Sequence, residues 1–199
     1  MDVIRLMDMV RLWWLLIHNN IGYVFPEGGN VFVASQQKQG AWYDINTNYS
    51  KDLINGNVFT LAIDHGVQPK NDSYAYIVVP TVSKTKDMAN YCKKAEIKIL
   101  SNNTGIQSVY HEGLKIWQTI FFRPGGIGHQ HMAITADSKC AVMLKEMKDG
   151  RYELHVADPS QSQKVIKITV VLPGKAPQTI SADFTHTGIY AGKSKRFVL

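Results

Sequence analysis

Apolar and polar positions along the chain follow two periods. The first stretch, MDVIRLMDMVRLWWLLI, places Val3, Met7, Val10, Trp14 and Ile17 on one side of a helical wheel. Asp2, Arg5, Asp8 and Arg11 lie toward the other side. This pattern predicts a short amphipathic helix over residues 1–17. From Ile21 onward the punctuation is that of a β protein, with short apolar runs between clusters of Gly, Pro, Asn and Asp. IGYVF and VFVAS, separated by Pro26-Glu27-Gly28-Gly29, predict a hairpin over residues 21–35. GAWYDI, VFTLAI and SYAYIVV follow, and the last two are expected to form a second hairpin around Asp64-His65-Gly66 and Pro69-Lys70-Asn71-Asp72. VFTLAID and YAYIVV are nearly continuous apolar runs, as expected of strands covered on both faces.

Residues 81–95 are polar and carry Lys84, Lys86, Asp87, Lys93 and Lys94, with one short helix expected from Lys86 to Lys94. Strands resume with EIKIL, SVYHE, IWQTIFF, AITAD, AVMLKEM, YELHVAD, KVIKITVVL, TISADF and KRFVL, with turn signals every 8–12 residues or so, the spacing of a sandwich. Asp149-Gly150 is a strong two-residue hairpin signal. YELHVAD and VIKITVV alternate apolar and polar residues, so each is expected to bury one face. The fold class is therefore all-β. Four segments are expected: 1–17 helical, 18–82 a first β unit, 83–95 a linker, and 96–199 a second β unit.

A chain of 199 residues that is 45% hydrophobic and 19% charged can bury a core without staples. The formal net charge of +6 favours acidic partners, although lysines also blunt sheet edges. Cys92 and Cys140 lack metal-ligand spacing and are read as free thiols, with one bridge between them left open by the sequence. The apolar run Leu12–Ile17 is too short to span a bilayer. Asp2 and Asp8 are wrong for a signal peptide, so no targeting signal is expected within the chain.

Candidate chemistry is sparse. His129 and His131 flank Gln130 after Gly125-Gly126-Ile127-Gly128, and two histidines two apart on a strand would point the same way. No nearby acid or thiol completes a ligand set, so no metal site is assigned. The glycine run lacks the Lys-Ser/Thr of a phosphate loop. Asp64-His65-Gly66, His18-Asn19-Asn20 and His111-Glu112 are read as structural turns or caps rather than catalytic groups. Signatures of a nucleophile elbow, a catalytic cysteine and a zinc protease are all missing. Trp42, Tyr43, Tyr49, Tyr74, Tyr76 and Trp117 could stack on sugar rings, but aromatics in strands more often serve packing.

Several stretches together resemble polysaccharide lyase family eight, which holds chondroitin AC, hyaluronan and xanthan lyases. They are His18–Pro26 (HNNIGYVFP), Gly40–Asn46 (GAWYDIN), and Phe59–Gly66 (FTLAIDHG) continuing through Pro69, Asn71 and Tyr74–Pro80 (YAYIVVP). Val156–Gln161 and Gly192-Lys193-Ser194 extend the resemblance toward the carboxy terminus. The resemblance implies a β-elimination enzyme acting on uronic-acid polysaccharides. Its helical toroid would supply the catalytic groups, followed by a large and then a small β-sandwich. Only the end of the large sandwich and the small one are matched, so no catalytic residue is carried over and sugar-contacting residues stay unassigned.

The chain is expected to be a non-catalytic structural or carbohydrate-binding part of such a lyase. An anionic polysaccharide is its expected partner, with no cofactor, no metal, no nucleic acid and no membrane span. Open sheet edges are expected to favour self-association, and the parent family implies a secreted or periplasmic protein. The alternatives are one piece of an active split lyase, or an adhesion or scaffold module.

Overall fold

The computed structural model describes residues 4–8, 13–94, 96–186 and 188–199, the side chains of 4–8 and 13–16 excepted. The chain divides into two compact units, Met1–Lys94 and Ala95–Leu199. Among the described residues, no helix is long and apolar enough to cross a membrane.

The first unit begins with strands β1 (Ile4–Asp8), β2 (Trp13–His18) and β3 (Ile21–Phe25). The described part of the expected amino-terminal helix is therefore two strands; residues 1–3 and 9–12 lie outside the description. An unbroken apolar run such as LWWLLI suits a helix or an inner strand equally. Here β2 takes an inner place, pairing with β1 on one side and β3 on the other, in register from Ile4↔Ile17 and from Trp14↔Phe25. Tertiary pairing thus overrides the helical periodicity.

Strands β4 (Asn30–Gly40) and β5 (Ile54–Asp64) follow, with one 3-10 turn at Trp42–Asp44 between them, then β6 (Ile77–Pro80) and the helix α1 (Thr85–Lys94). The sheet order is β1-β2-β3-β6, and β4 and β5 form a separate two-stranded ribbon. Neither expected hairpin forms. The edge of β3 facing away from β2 is taken by β6, in register Ile21↔Pro80, while β4 pairs with β5 from Asn30↔Asp64 to Gly40↔Ile54. The reason lies in matching polarity. At the distal end of the ribbon Gln37, Lys38 and Gln39 face Asn57, Gly56 and Asn55 of β5, whereas apolar β3 meets apolar β6. Gly28 (φ 72) and Gly29 (φ 123) take positive φ at the departure from β3, a conformation costly for other residues. GAWYDI, expected as a strand, supplies the 3-10 turn, with Asp44 Oδ2 accepting from the Ala41 N–H at 3.2 Å.

The stretch expected to be a linker packs into the first core instead. Met88 of α1 is fully buried with Ile17, Val24, Val79 and Val82, and Tyr91 and Cys92 pack beside them. Gly22 makes this contact close, since a Cβ there would lie 2.5 Å from the Met88 sulfur. The ribbon is tied to the sheet by Phe59, which stacks on His18 at 3.8 Å and 10°.

The second unit comprises β7 (Ile97–Asn102), β8 (Ile106–His111), β9 (Ile116–Phe121), β10 (Gly125–His129), β11 (Met132–Ala136), β12 (Cys140–Glu146), β13 (Tyr152–Ala157), β14 (Val165–Val171), β15 (Gln178–Asp183) and β16 (Lys195–Val198). They form a six-stranded sheet, β16-β13-β12-β9-β8-β7, and a four-stranded sheet, β10-β11-β14-β15. The alternation read in the sequence fills the space between them. Trp117, Phe121, Val142, Leu144, Leu154 and Val156 from one sheet meet Ile134, Ile166, Ile168, Val170 and Ala182 from the other. Burying each large aliphatic side chain contributes about 1.5–3 kcal/mol. One polar group enters this core with its needs met: Trp117 Nε1–H donates to Ser108 Oγ at 2.8 Å, and that oxygen lies 2.8 Å from Thr119 Oγ1.

Asp149-Gly150 turns β12 into β13, with Gly150 at φ 80. Asp158, only 1% exposed, organises the next loop. Its carboxylate accepts from Ser160 N (3.0 Å), Ser160 Oγ (2.5 Å), Ser162 N (2.8 Å) and Gln163 N (2.8 Å). Its backbone N–H donates to Gly192 O at 3.0 Å. Cys92 and Cys140 are not joined in a disulfide. Burial, followed by the nearby Asp137 and Asp158 charges, pushes the Cys140 thiol up to about 12, so it stays protonated.

Candidate functional site

In the first unit, the residues from β5 to β6 form a braced turn. Asp64 caps it, accepting from Gly66 N at 2.8 Å and from Asn30 Nδ2 at 3.2 Å. His65 does not use its sequence neighbour Asp64. Its Nδ1 engages the carboxylate of Asp72 across the loop. The hydrogen bond with His65, followed by that from Ser73 N–H, holds the Asp72 carboxyl below the ordinary range. His65 is thus held across the loop by Asp72. Gln68 (φ 52) and Asn71 (φ 55) supply the sharp bends.

This brace sets the aromatic residues that follow. The His65 ring lies 5.9 Å from that of Tyr74, and Tyr74 and Tyr76 lie 6.4 Å apart, nearly parallel at 15°. They are two residues apart in the run just ahead of β6. They are 58% and 53% exposed. Two stacked, half-exposed phenol rings on a fixed backbone offer apolar faces with polar tips, the surface on which a sugar ring can lie.

The structure divides the other aromatic candidates. Trp117 is 1% exposed and belongs to the second core. Trp42 and Tyr49 are exposed beside the ribbon, and Tyr43 is half-buried with the Lys51 ammonium 4.5 Å above its ring.

The histidine candidates separate too. His129 ends β10 and His131 lies in the turn, so the two do not share a strand. His129 packs on Tyr110 (4.7 Å) and edge-on to Trp117 (6.2 Å), and its buried Nε2 has no hydrogen-bond partner. His18 stacks on Phe59. His111 Nδ1 accepts from Leu114 N–H at 3.2 Å, and its Nε2 lies 3.9 Å from Glu96. Among the described residues, no three His, Cys, Asp or Glu side chains converge as metal ligands.

Sequence reasoning missed a feature of the second unit. On the outer face of the six-stranded sheet a groove of about 510 Å³ is lined by Gln107, Val109, Gln118, Ile120, Met143 and His155, among others. His155 Nε2 pairs with Glu153 Oε1 at 2.5 Å, and Arg196 donates to Glu153 Oε2 at 2.9 Å. The Arg196 bond, followed by that from His155, draws the Glu153 carboxyl down to about 2. Ser194 Oγ lies 3.5 Å from the remaining His155 nitrogen, too far for a strong bond. The signal lay in the outward positions of alternating strands. Gln107, Gln118 and Met143 read there as ordinary surface residues until pairing sets them side by side.

Both units, a ribboned sheet with a braced tyrosine pair and a separate small sandwich, correspond to the β regions of enzymes that cleave polysaccharides. The super-sandwich domain of polysaccharide lyase family 8 matches residues 7–91, and the C-terminal β-sandwich domain of the same family matches residues 98–167. The chain belongs to polysaccharide lyase family 8. It is 39% identical over 158 residues to a chondroitinase-AC of Pedobacter heparinus, covering 79% of this chain and 22% of that protein. It is 29% identical over 180 residues to a hyaluronate lyase of Thermasporomyces composti, covering 90% of this chain and 22% of that protein. A solved chondroitinase AC lyase, studied in oligosaccharide complexes, superposes with a TM-score of 0.85 at 33% identity, covering 98% of this chain and 28% of that one. The chain therefore spans between a fifth and three-tenths of the length of these relatives.

Proposed function

We propose that this chain is the β-sandwich portion of a lyase that works outside the cytoplasm on uronic-acid polysaccharides, and that it grips the anionic polymer without cleaving it. The observation that carries this reading is the Tyr74–Tyr76 pair, held half-exposed by the His65–Asp72 brace within the segment matched by the family's super-sandwich domain. The net charge of +6 supports it, because a cationic surface concentrates a polyanion. The named activities of the relatives support the choice of chondroitin and hyaluronan as ligands.

Elimination at a uronic acid needs a base at the C5 proton, an acid at the leaving oxygen and donors to the developing enolate. The braced turn offers one histidine already engaged by a carboxylate and two phenols turned toward solvent. The outward phenol faces suit holding a sugar, and a turnover assay separates holding from reacting.

Affinity electrophoresis in gels containing chondroitin sulfate tests the reading. The chain should be retarded, and Tyr74→Ala with Tyr76→Ala should remove most of the retardation while the melting temperature holds. Incubation with the polymer should give no rise in the ultraviolet absorbance of unsaturated uronate. Unretarded migration of the unaltered chain refutes binding. Sustained turnover lost on His65→Ala refutes the non-catalytic assignment and favours one piece of a split enzyme.

A further inference from the structure

We infer that the groove on the outer face of the six-stranded sheet is a second polysaccharide subsite, separate from the tyrosine pair. The inference rests on the polysaccharide reading above and assigns it a place in the second unit.

Strand register builds the groove. Arg196, His155, Met143, Gln118 and Val109 stand in one row across β16, β13, β12, β9 and β8. Ala157, Ala141, Ile120 and Gln107 make the neighbouring row. Outward and inward residues alternate along each strand, so these two rows share one surface, opposite the Trp117 and Leu154 side that fills the core. Small alanines sit between larger neighbours and make the depression. Its volume of about 510 Å³ falls within the range of about 300–1,000 Å³ found for ligand pockets.

The chemistry of the lining selects the occupant. Val109, Ile120 and Met143 give an apolar floor for the C–H face of a pyranose or an acetamido methyl. Gln107 and Gln118, both exposed, present amides that donate and accept, as neighbouring sugar hydroxyls require. Neither amide carries charge, so they suit the uncharged parts of the polymer. Charge enters at one end. Strand alternation puts Lys145 on the same surface, two residues beyond Met143, and Arg196 flanks His155. Glu153 is the acid of that end, and it is already engaged by Arg196 and His155. One ammonium is left in excess beside an apolar, amide-lined trough. That suits a polymer alternating a carboxylate sugar with an uncharged one, and it disfavours a purely apolar peptide.

The experiment titrates the isotope-labelled 199-residue chain with hyaluronan oligosaccharides, in which the sugar between the carboxylates is uncharged, and follows backbone and Gln side-chain amide resonances. The resonances of Gln107, Gln118, Met143 and His155 should move together. The Gln107→Ala/Gln118→Ala double variant should weaken that response at least tenfold, and Met143→Glu, which sets a negative charge on the floor, should do the same. Both changes are on the solvent face, and an unchanged spectrum elsewhere reports an intact fold. Should either variant fail to fold, Lys145→Glu reads the same site from its rim, with a severalfold loss expected. Groove resonances that stay still, or variants that bind as tightly as the unaltered chain while the Tyr74→Ala change abolishes binding, overturn the groove and leave the polysaccharide reading standing. An unaltered chain that binds no oligosaccharide at all overturns both.

Discussion

Replacing Gly192 by alanine should damage the second unit far more than the same change at Gly174. Both glycines lie in the left-handed region, at φ 71 and φ 69. That conformation costs an L-residue about 1–2 kcal/mol at either site. At Gly174 a new Cβ meets nothing within 4 Å, so the conformational cost is the whole effect. At Gly192 the Cβ would lie 2.0 Å from the carbonyl oxygen of Asp158, an overlap that only a backbone shift relieves. The segment that must shift is held by the Asp158 N–H bond to Gly192 O and by the four bonds into the Asp158 carboxylate. Losing one neutral and one charge-assisted hydrogen bond adds about 2–4 kcal/mol. In a unit of this size that separates the two variants by roughly 10–20 °C in melting temperature. Differential scanning calorimetry of the two variants and the unaltered chain gives the comparison. If Gly192→Ala and Gly174→Ala melt within a degree or two of each other, close backbone approach is not what makes glycine necessary at 192.

Ser108→Ala leaves the Trp117 indole N–H without its acceptor inside the core and should destabilise by about 1–3 kcal/mol in urea unfolding. Met88→Ala empties the contact between α1 and β3 and should cost about 2–5 kcal/mol. Gly22→Ala should cost less, because the atoms it meets belong to the flexible end of Met88. Acid should weaken the second unit. Burial raises the Asp158 carboxyl, but hydrogen bonds from Ser160, Gln163 and Ser162 outweigh it, so the net shift is downward. The Glu153 carboxyl falls to about 2. Both groups are lower in the folded state, so their stabilisation is complete above the ordinary carboxyl range of about 4 and is lost as pH falls through the folded values. A melting temperature that holds flat from pH 5 to pH 2 would contradict this.

The small sandwich was legible because its strands announce themselves. YELHVAD and VIKITVV alternate, Asp149-Gly150 marks a hairpin, and each strand pairs with neighbours of matching period. The first unit was less so. LWWLLI carries no period that separates helix from inner strand, and β3 pairs with β6 across the whole excursion from Pro26 to Tyr76, where local turn signals say nothing. Met88 sits in a lysine-rich stretch that reads as solvated linker, yet it is fully buried, with Tyr91 and Cys92 packed beside it. Tyr74 and Tyr76 were visible as candidates. Their exposure, and the reach of His65 to Asp72 rather than Asp64, depend on how the loop closes, which no spacing rule conveys. The groove was invisible because its two rows exist only once the register of five strands is known.

The ribbon stands between two strands that are themselves neighbours. Because β3 and β6 pair directly, everything from Pro26 to Tyr76 leaves the sheet and returns to the same edge. The sheet closes irrespective of how far that excursion travels, apart from the point where Phe59 rests on His18. Lengthening or trimming the polar distal end, around Gln37–Asn55, changes no pairing within the four-stranded sheet, so this is where insertions and deletions among descendants of the gene should accumulate. The turn carrying Tyr74 and Tyr76 lies at the returning end, next to β6, and its geometry is fixed by the His65–Asp72 brace. Reach can therefore drift over generations while the aromatic pair stays in place.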